Sequence, residues 1–136
     1  MKIVNTSRYA RKDVGKLIRF ALRSVGKKEV GRVEEIVVRN RENSYFSGHA
    51  WLQYRRIVIS IGPASYFPLQ RCARPTMPQY EIRDWKEALL TVAAHEFNHL
   101  SQHERGRRSG RWVSRSEHEC ERAAKQALAE YRGVVV

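Results

Sequence analysis

The segment His95-Glu96-Phe97-Asn98-His99 sets two imidazoles four residues apart with a carboxylate between them. On a helix, positions i and i+4 project from one side a turn apart, so both rings can grip a single metal ion. Glu96 lies about 100° round the helix from His95 and about 60° from His99, within reach of a metal-bound water as general base without being a ligand itself. Zinc suits this donor set. It lowers the pKa of its water to about 7 and polarises a carbonyl, while the glutamate takes the proton and later delivers it to a leaving amine. The chemistry expected of these residues is zinc-dependent amide hydrolysis. A pair of partly buried histidines flanking a core stripe is the ordinary alternative, but it does not explain three such residues together at an apolar boundary.

A catalytic zinc takes three protein ligands and keeps one position open, so a third ligand must come from elsewhere in the chain. His103 continues the i+4 series, but it lies about two turns, roughly 12 Å, from His95 along the axis, too far for one ion to bind both. Glu117, His118 and Glu119 remain as candidates.

The elements that must position these residues are legible in outline. Asp84 followed by Glu87 makes a capping-box pattern, and the apolar stripe Trp85, Ala88, Leu89, Val92, Ala93, Leu100 predicts a helix that runs on to Gly106 and carries the motif. Cys120, Ala123, Ala124, Ala127, Leu128 and Tyr131 mark a last helix after an Arg- and Gly-containing connection from Arg105 to Ser116. Upstream, Asp13 to Ser24 predicts an amphipathic helix with Asp13 as cap and Gly26 as stop. Val33 to Val38, the region around His49 to Tyr54, and Arg56 to Ile61 predict strands of an antiparallel or mixed sheet. Gly62 to Pro78 holds all four prolines and predicts a long irregular loop near the site. The expected fold is α+β: an N-terminal helix, a small three- to four-stranded sheet, the motif helix and a C-terminal glutamate-bearing helix. At 136 residues and 42% hydrophobic, the chain should make one domain, residues 1–136, around one core.

The motif together with Glu117-His118-Glu119-Cys120-Glu121-Arg122-Ala123-Ala124 resembles the gluzincin metallopeptidases, most closely the small ImmA/IrrE-type proteins and the single-domain minigluzincins. The resemblance runs from about Trp85 to Leu128. It implies zinc held by His95, His99 and Glu117, with Glu96 as base. It also implies an orienting residue for His95 at Glu121, where Asp or Asn is usual. A third ligand at His118 would instead resemble the SprT/Spartan-like DNA-associated proteases. Glu117 and Glu119 also fit helix capping, since Ser114 and Ser116 each precede one of them by three.

Gluzincin-like folds set an edge strand beside the metal to receive an extended peptide. Arg56 to Ile61, with Ile57, Ile59 and Ile61, is the expected substrate-binding strand. An oxyanion donor is also expected, from Tyr66, Tyr80, Arg115 or Arg122. Arg71-Cys72-Ala73-Arg74-Pro75 resembles the thiolate switch of matrix metalloproteases but lacks its glycine and aspartate. The terminal Val134-Val135-Val136 could add to the sheet or enter the cleft, or simply pack or fray.

Twenty-six Lys and Arg against 14 Asp and Glu give a formal net charge of +12, so the surface presents a strong positive field. Nucleic acid or an acidic partner would suit it, beside a protein or peptide substrate; so would a basic surface that serves solubility alone. No apolar stretch approaches the ~20 residues of a membrane span, and two cysteines cannot build a disulfide framework, so a cytoplasmic protein without a membrane partner is expected.

Overall fold

The structure, a computed structural model, describes residues 1–26, 33–43, 45–71, 79–104 and 112–135. Its fold is α+β. Among the described residues six strands, β1 (Lys2–Asn5), β2 (Glu35–Asn40), β3 (Phe46–Trp51), β4 (Arg56–Ile61), β5 (Leu69–Arg71) and β6 (Tyr80–Ile82), combine with three helices, α1 (Arg11–Val25), α2 (Trp85–Glu104) and α3 (Trp112–Val135). The main sheet has the order β1-β2-β4-β3: β1, β2 and β4 run parallel, and β3 pairs antiparallel to β4 at the edge. A separate antiparallel pair joins β5 to β6 with Arg71 opposite Tyr80.

Alternation decides which face of the sheet is covered. Ile36, Val38, Ile57, Ile59 and Ile61 are fully buried and form one cluster with residues of all three helices. α2 is the central element. Its apolar residues Ala88, Leu89, Leu90, Ala93, Ala94 and Phe97 are buried on several sides, as expected for a helix packed between others. It lies against α1, α3 and the β3 edge of the sheet. α3 meets the core through Ala124, Ala127 and Leu128, small residues that let two helices approach closely.

Helix ends follow local chemistry. Asp84 Oδ1 accepts from the Glu87 N–H at 3.0 Å, while Glu87 Oε1 accepts from the Arg83 N–H at 2.9 Å, so the expected cap at α2 is present. Gly26 ends α1 at φ 65°, with its N–H on the Leu22 carbonyl. Asp13, by contrast, is not a cap: α1 begins at Arg11, and Asp13 sits in the first turn, where its charge favours the helix dipole.

Three further expectations are corrected. Residues Leu52–Tyr54 form a 3₁₀ turn after β3 rather than strand, and Gly62 to Pro78 is not irregular throughout, since it holds a 3₁₀ turn at Ala64–Tyr66 and β5. Ser114 and Ser116 lie within α3, whose first residue is Trp112, so neither can cap it. Val134 and Val135 continue α3, so they add no strand; Val136, Cys72 and the segment 105–111 lie outside the described residues.

Candidate metal centre

Because α2 is helical through the motif, His95 and His99 stand one turn apart with ring centroids 4.8 Å from each other. Their Nε2 atoms converge to 3.1 Å. α3 crosses beside them and delivers Glu117, with Oε1 2.8 Å from His99 Nε2 and Oε2 3.4 Å from His95 Nε2. Donor atoms ~2.0–2.2 Å from one tetrahedral zinc stand about 3.3–3.6 Å apart, close to these three separations. Two ring nitrogens and one carboxylate aimed at a common point therefore fit a zinc ion in size and in chemistry.

His95 is held from behind as well. Its Nδ1 lies 3.1 Å from Glu121 Oε1, which leaves Nε2 directed at Glu117 and His99. Glu121 is buried, at 1% exposure, and its carboxylate also accepts from Arg71 Nη2 at 3.0 Å and from the Tyr80 hydroxyl at 3.1 Å. Burial pushes the Glu121 carboxyl up, but the hydrogen bonds to His95 and Arg71 outweigh it and hold the group down at about 2. For Glu117 the two histidines dominate and draw the carboxyl well below its usual range. Burial would lower His95, yet Glu117 and Glu121 outweigh it and raise the imidazole to about 9.

Glu96 is 7% exposed and lines the same cleft. Burial raises its carboxyl above the ordinary value, against the opposing pull of His95 and His99. A carboxyl tuned upward is better matched to taking and returning a proton near neutral pH. The cleft, about 500 Å³, lies between α2, α3, β3 and the β5–β6 pair.

A second donor set shares the two histidines: the donor atoms of His95, His99 and Cys120 lie within 4.8 Å of one another. Glu117 fits better. It lines the cleft whereas Cys120 does not, and the Cys120 sulfur is buried, accepting from Asn98 Nδ2 at 3.3 Å and donating to Gln102 Oε1 at 3.6 Å. Burial pushes this thiol up, disfavouring the thiolate that a metal requires.

Other candidates fall away from the cleft. Glu119 accepts from Gln102 Nε2 at 2.8 Å and sits with Arg122 on another surface, and neither His118 nor His103 lines the cleft. Tyr66 donates to the Glu42 carbonyl on the exterior, while Tyr80 reaches the cleft but spends its hydroxyl proton on Glu121. The Arg115 side chain lies outside the described set. The assignment of Ile57, Ile59 and Ile61 to substrate is corrected. β4 is paired on both sides and these three side chains are fully buried, so it has no free backbone edge to offer. Its strong β character reflects a central core strand; the edge strand beside the histidines is β3.

Sequence reasoning missed Gly48, Arg71 and the role of Tyr80. A Cβ built on Gly48 would stand 2.5 Å from Val92 Cγ1, 2.8 Å from Glu96 Cγ and 2.9 Å from Glu96 Oε1, so β3 reaches Glu96 only because this residue has no side chain. An isolated glycine within a strand pattern is the signal that could have found it. Arg71 and Tyr80 come from strands of three residues, too short to announce themselves.

Set against known proteins, the chain matches no family model, no curated protein and no solved structure.

Proposed function

We propose that this chain is a zinc-dependent metallopeptidase of the gluzincin type, acting on a protein or peptide in a cytoplasmic setting. The observation that carries the reading is the delivery of Glu117 by α3 to within 2.8 and 3.4 Å of two histidine nitrogens that α2 already holds 3.1 Å apart. His95 Nε2, His99 Nε2 and the Glu117 carboxylate would hold the ion. When bound, zinc supplies Lewis-acid activation of water and of a peptide carbonyl.

The remaining work falls to the chain. Glu121 fixes the His95 ring by accepting at Nδ1. The Glu96 carboxylate takes the proton of the attacking water and returns it to the departing amine nitrogen. β3, unpaired on its outer edge among the described residues, offers backbone N–H and C=O groups along the cleft to which an extended polypeptide can add as a further strand. Such pairing reads backbone rather than side chains.

Elemental analysis of the wild type beside His95→Ala, Glu117→Ala, Cys120→Ala and Glu96→Gln tests the proposal. About one zinc per chain is expected in the wild type, Cys120→Ala and Glu96→Gln, with loss in the other two. Peptide cleavage should disappear in Glu96→Gln although its zinc remains. Zinc retained in Glu117→Ala and lost in Cys120→Ala would replace the ligand set and with it the gluzincin reading.

A further inference from the structure

Among the described residues, the helices cover one face of the main sheet and no element covers the other. Along that open face, register sets Trp51, Arg56 and Glu35 in one row, His49, Val58 and Val37 in the next, and Ser47, Ser60 and Arg39 in a third. All of these except Glu35, with Arg41 just beyond β2, line a shallow groove of about 340 Å³ to which no described helix residue contributes. Three arginines and a histidine are among its ten described lining residues, and no described carboxylate is. Glu35, beside it, is already paired to Arg56 at 2.9 Å. Among the described residues, the cleft on the opposite side of β3 carries Glu96, Glu117 and Glu121 against Arg71 alone among arginines and lysines, so the described lining of the two sides differs in charge.

The groove also presents aromatic surface. Trp51 is 47% exposed and meets the His49 ring edge-on at 4.7 Å, leaving much of the indole open. Arg39 is held across the sheet by its Nε donating to Ser60 Oγ at 2.9 Å, and the Arg41 N–H is fixed on the Ile61 carbonyl. Both guanidinium groups thus extend from ordered backbone beside the Val37 and Val58 floor.

From this arrangement we infer that the open face of the sheet binds single-stranded nucleic acid, with Arg39 and Arg41 on backbone phosphates and a base stacked on Trp51. Phosphates supply the negative charge that the groove lacks, and any base offers a π-face to the indole. A duplex keeps its base faces hidden and would leave Trp51 unused; an acidic peptide would use the arginines but not the ring. The inference does not rest on the metal site, since Arg39, Arg41 and Trp51, the residues it uses, do not line the cleft of His95, His99 and Glu117.

The test is fluorescence anisotropy of a labelled 12-nucleotide oligothymidine with the full chain at ~0.1 M salt. Arg39→Glu combined with Arg41→Glu should weaken binding by more than about tenfold and lower the log–log salt slope by about 0.7 for each phosphate no longer neutralised. Lys16→Glu combined with Lys125→Glu makes the same charge change on exposed helix positions and should cost less than about twofold. Trp51→Ala should weaken binding about tenfold, with Trp51→Phe close to wild type. Should the double arginine variant fail to fold, Arg41→Glu alone, exposed and outside the strands, gives the same comparison at smaller amplitude. Absence of wild-type binding would overturn the inference. Equal loss in the lysine control would reduce it to a general basic field, and an unchanged Trp51→Ala, or equally tight polyglutamate, would remove the nucleic-acid assignment.

Discussion

Gly48→Ala separates the two jobs proposed for α2, holding the ligand histidines and presenting the base. The added methyl would lie 2.5 Å from Val92 Cγ1, against a normal carbon–carbon contact of about 3.5–4.0 Å, an overlap of at least about 1 Å. Val92 cannot turn aside readily, because a β-branched residue in a helix is confined to essentially one χ1 rotamer and this one is buried at 6% exposure. Glu96 can turn, but only by leaving the cleft position from which it would act. Either β3 backs away from α2 or the base moves, at a cost of about 1–3 kcal/mol in stability. A reactive group misplaced by about 1 Å costs on the order of 100-fold in rate. His95, His99 and Glu117 belong to α2 and α3 and are not among the atoms nearest the added methyl, so zinc affinity should stay within about twofold of wild type. Thermal unfolding, a competitive chelator titration and turnover of a peptide that the wild type cleaves would be read side by side. Adding Val92→Ala should recover part of the stability lost to Gly48→Ala, since it removes the 2.5 Å clash, but not the turnover lost to displacement of Glu96. A Gly48→Ala protein with wild-type stability and turnover would refute the close-approach argument outright.

Glu121→Ala removes the acceptor shared by His95, Arg71 and Tyr80; zinc affinity should fall about 10–100-fold, and Glu121→Gln, which keeps an amide oxygen, should lose less by the same titration. Metal-free His95, raised to about 9, holds a proton at pH 7 that zinc, bound as proposed, would displace. Calorimetry in buffers of different ionisation enthalpy should therefore report release of about one proton at this residue, and His95→Gln should abolish both binding and release. Glu87 couples α2 to α3 through Arg132 at 2.8 Å; burial raises its carboxyl, but Arg132 and the Arg83 N–H outweigh that and leave it below the ordinary value. Its contribution is therefore complete above the unfolded carboxyl pKa of about 4.3 and is lost as pH falls through the lower folded value. Glu87→Gln should cost about 2 kcal/mol at pH 7 by denaturant unfolding and shrink the stability change on acidification; an unchanged acid profile would contradict the pairing.

The legible parts of this chain are those in which a single local rule decides the outcome. The Asp84 cap, the Gly26 stop and the β-branched run from Arg56 to Ile61 each declare themselves within a few residues, and each is present as expected. Placing an element against its neighbours needs information that a local pattern does not carry. Ile57, Ile59 and Ile61 read equally well as an edge strand packed on one side or as a central strand, and only the parallel pairing of β2 with β4 decides between them. β1 escapes sequence reading because its four residues are too few to establish alternation, although its pairing with β2 completes the parallel core. α3 starts earlier than the sequence suggests because Arg and Ser through that stretch hide a helix whose apolar stripe begins only at Cys120.

What fixes the candidate site is the position of α3, which brings both Glu117 and Glu121. Among the described side chains its apolar contribution is modest: Cys120, two alanines, Leu128 and the partly buried Tyr131 pack against the core but do little to define rotation or register along α2. Directional contacts supply that definition. Arg132 bonds Glu87 and the Glu81 carbonyl near one end of α3, and Glu121 is bound by Arg71, Tyr80 and His95 towards the other. These two ties lie eleven residues apart in sequence, about three helical turns, and grip opposite parts of α2 and the β5–β6 pair. A slide of α3 by one turn, about 5.4 Å, would break both ties and carry Glu117 away from the histidines. The buried acids that look costly for so small a core therefore act on geometry. They select the one register of α3 in which a carboxylate meets both imidazoles, and Glu87→Gln should consequently weaken zinc binding although Glu87 lies two turns from His95.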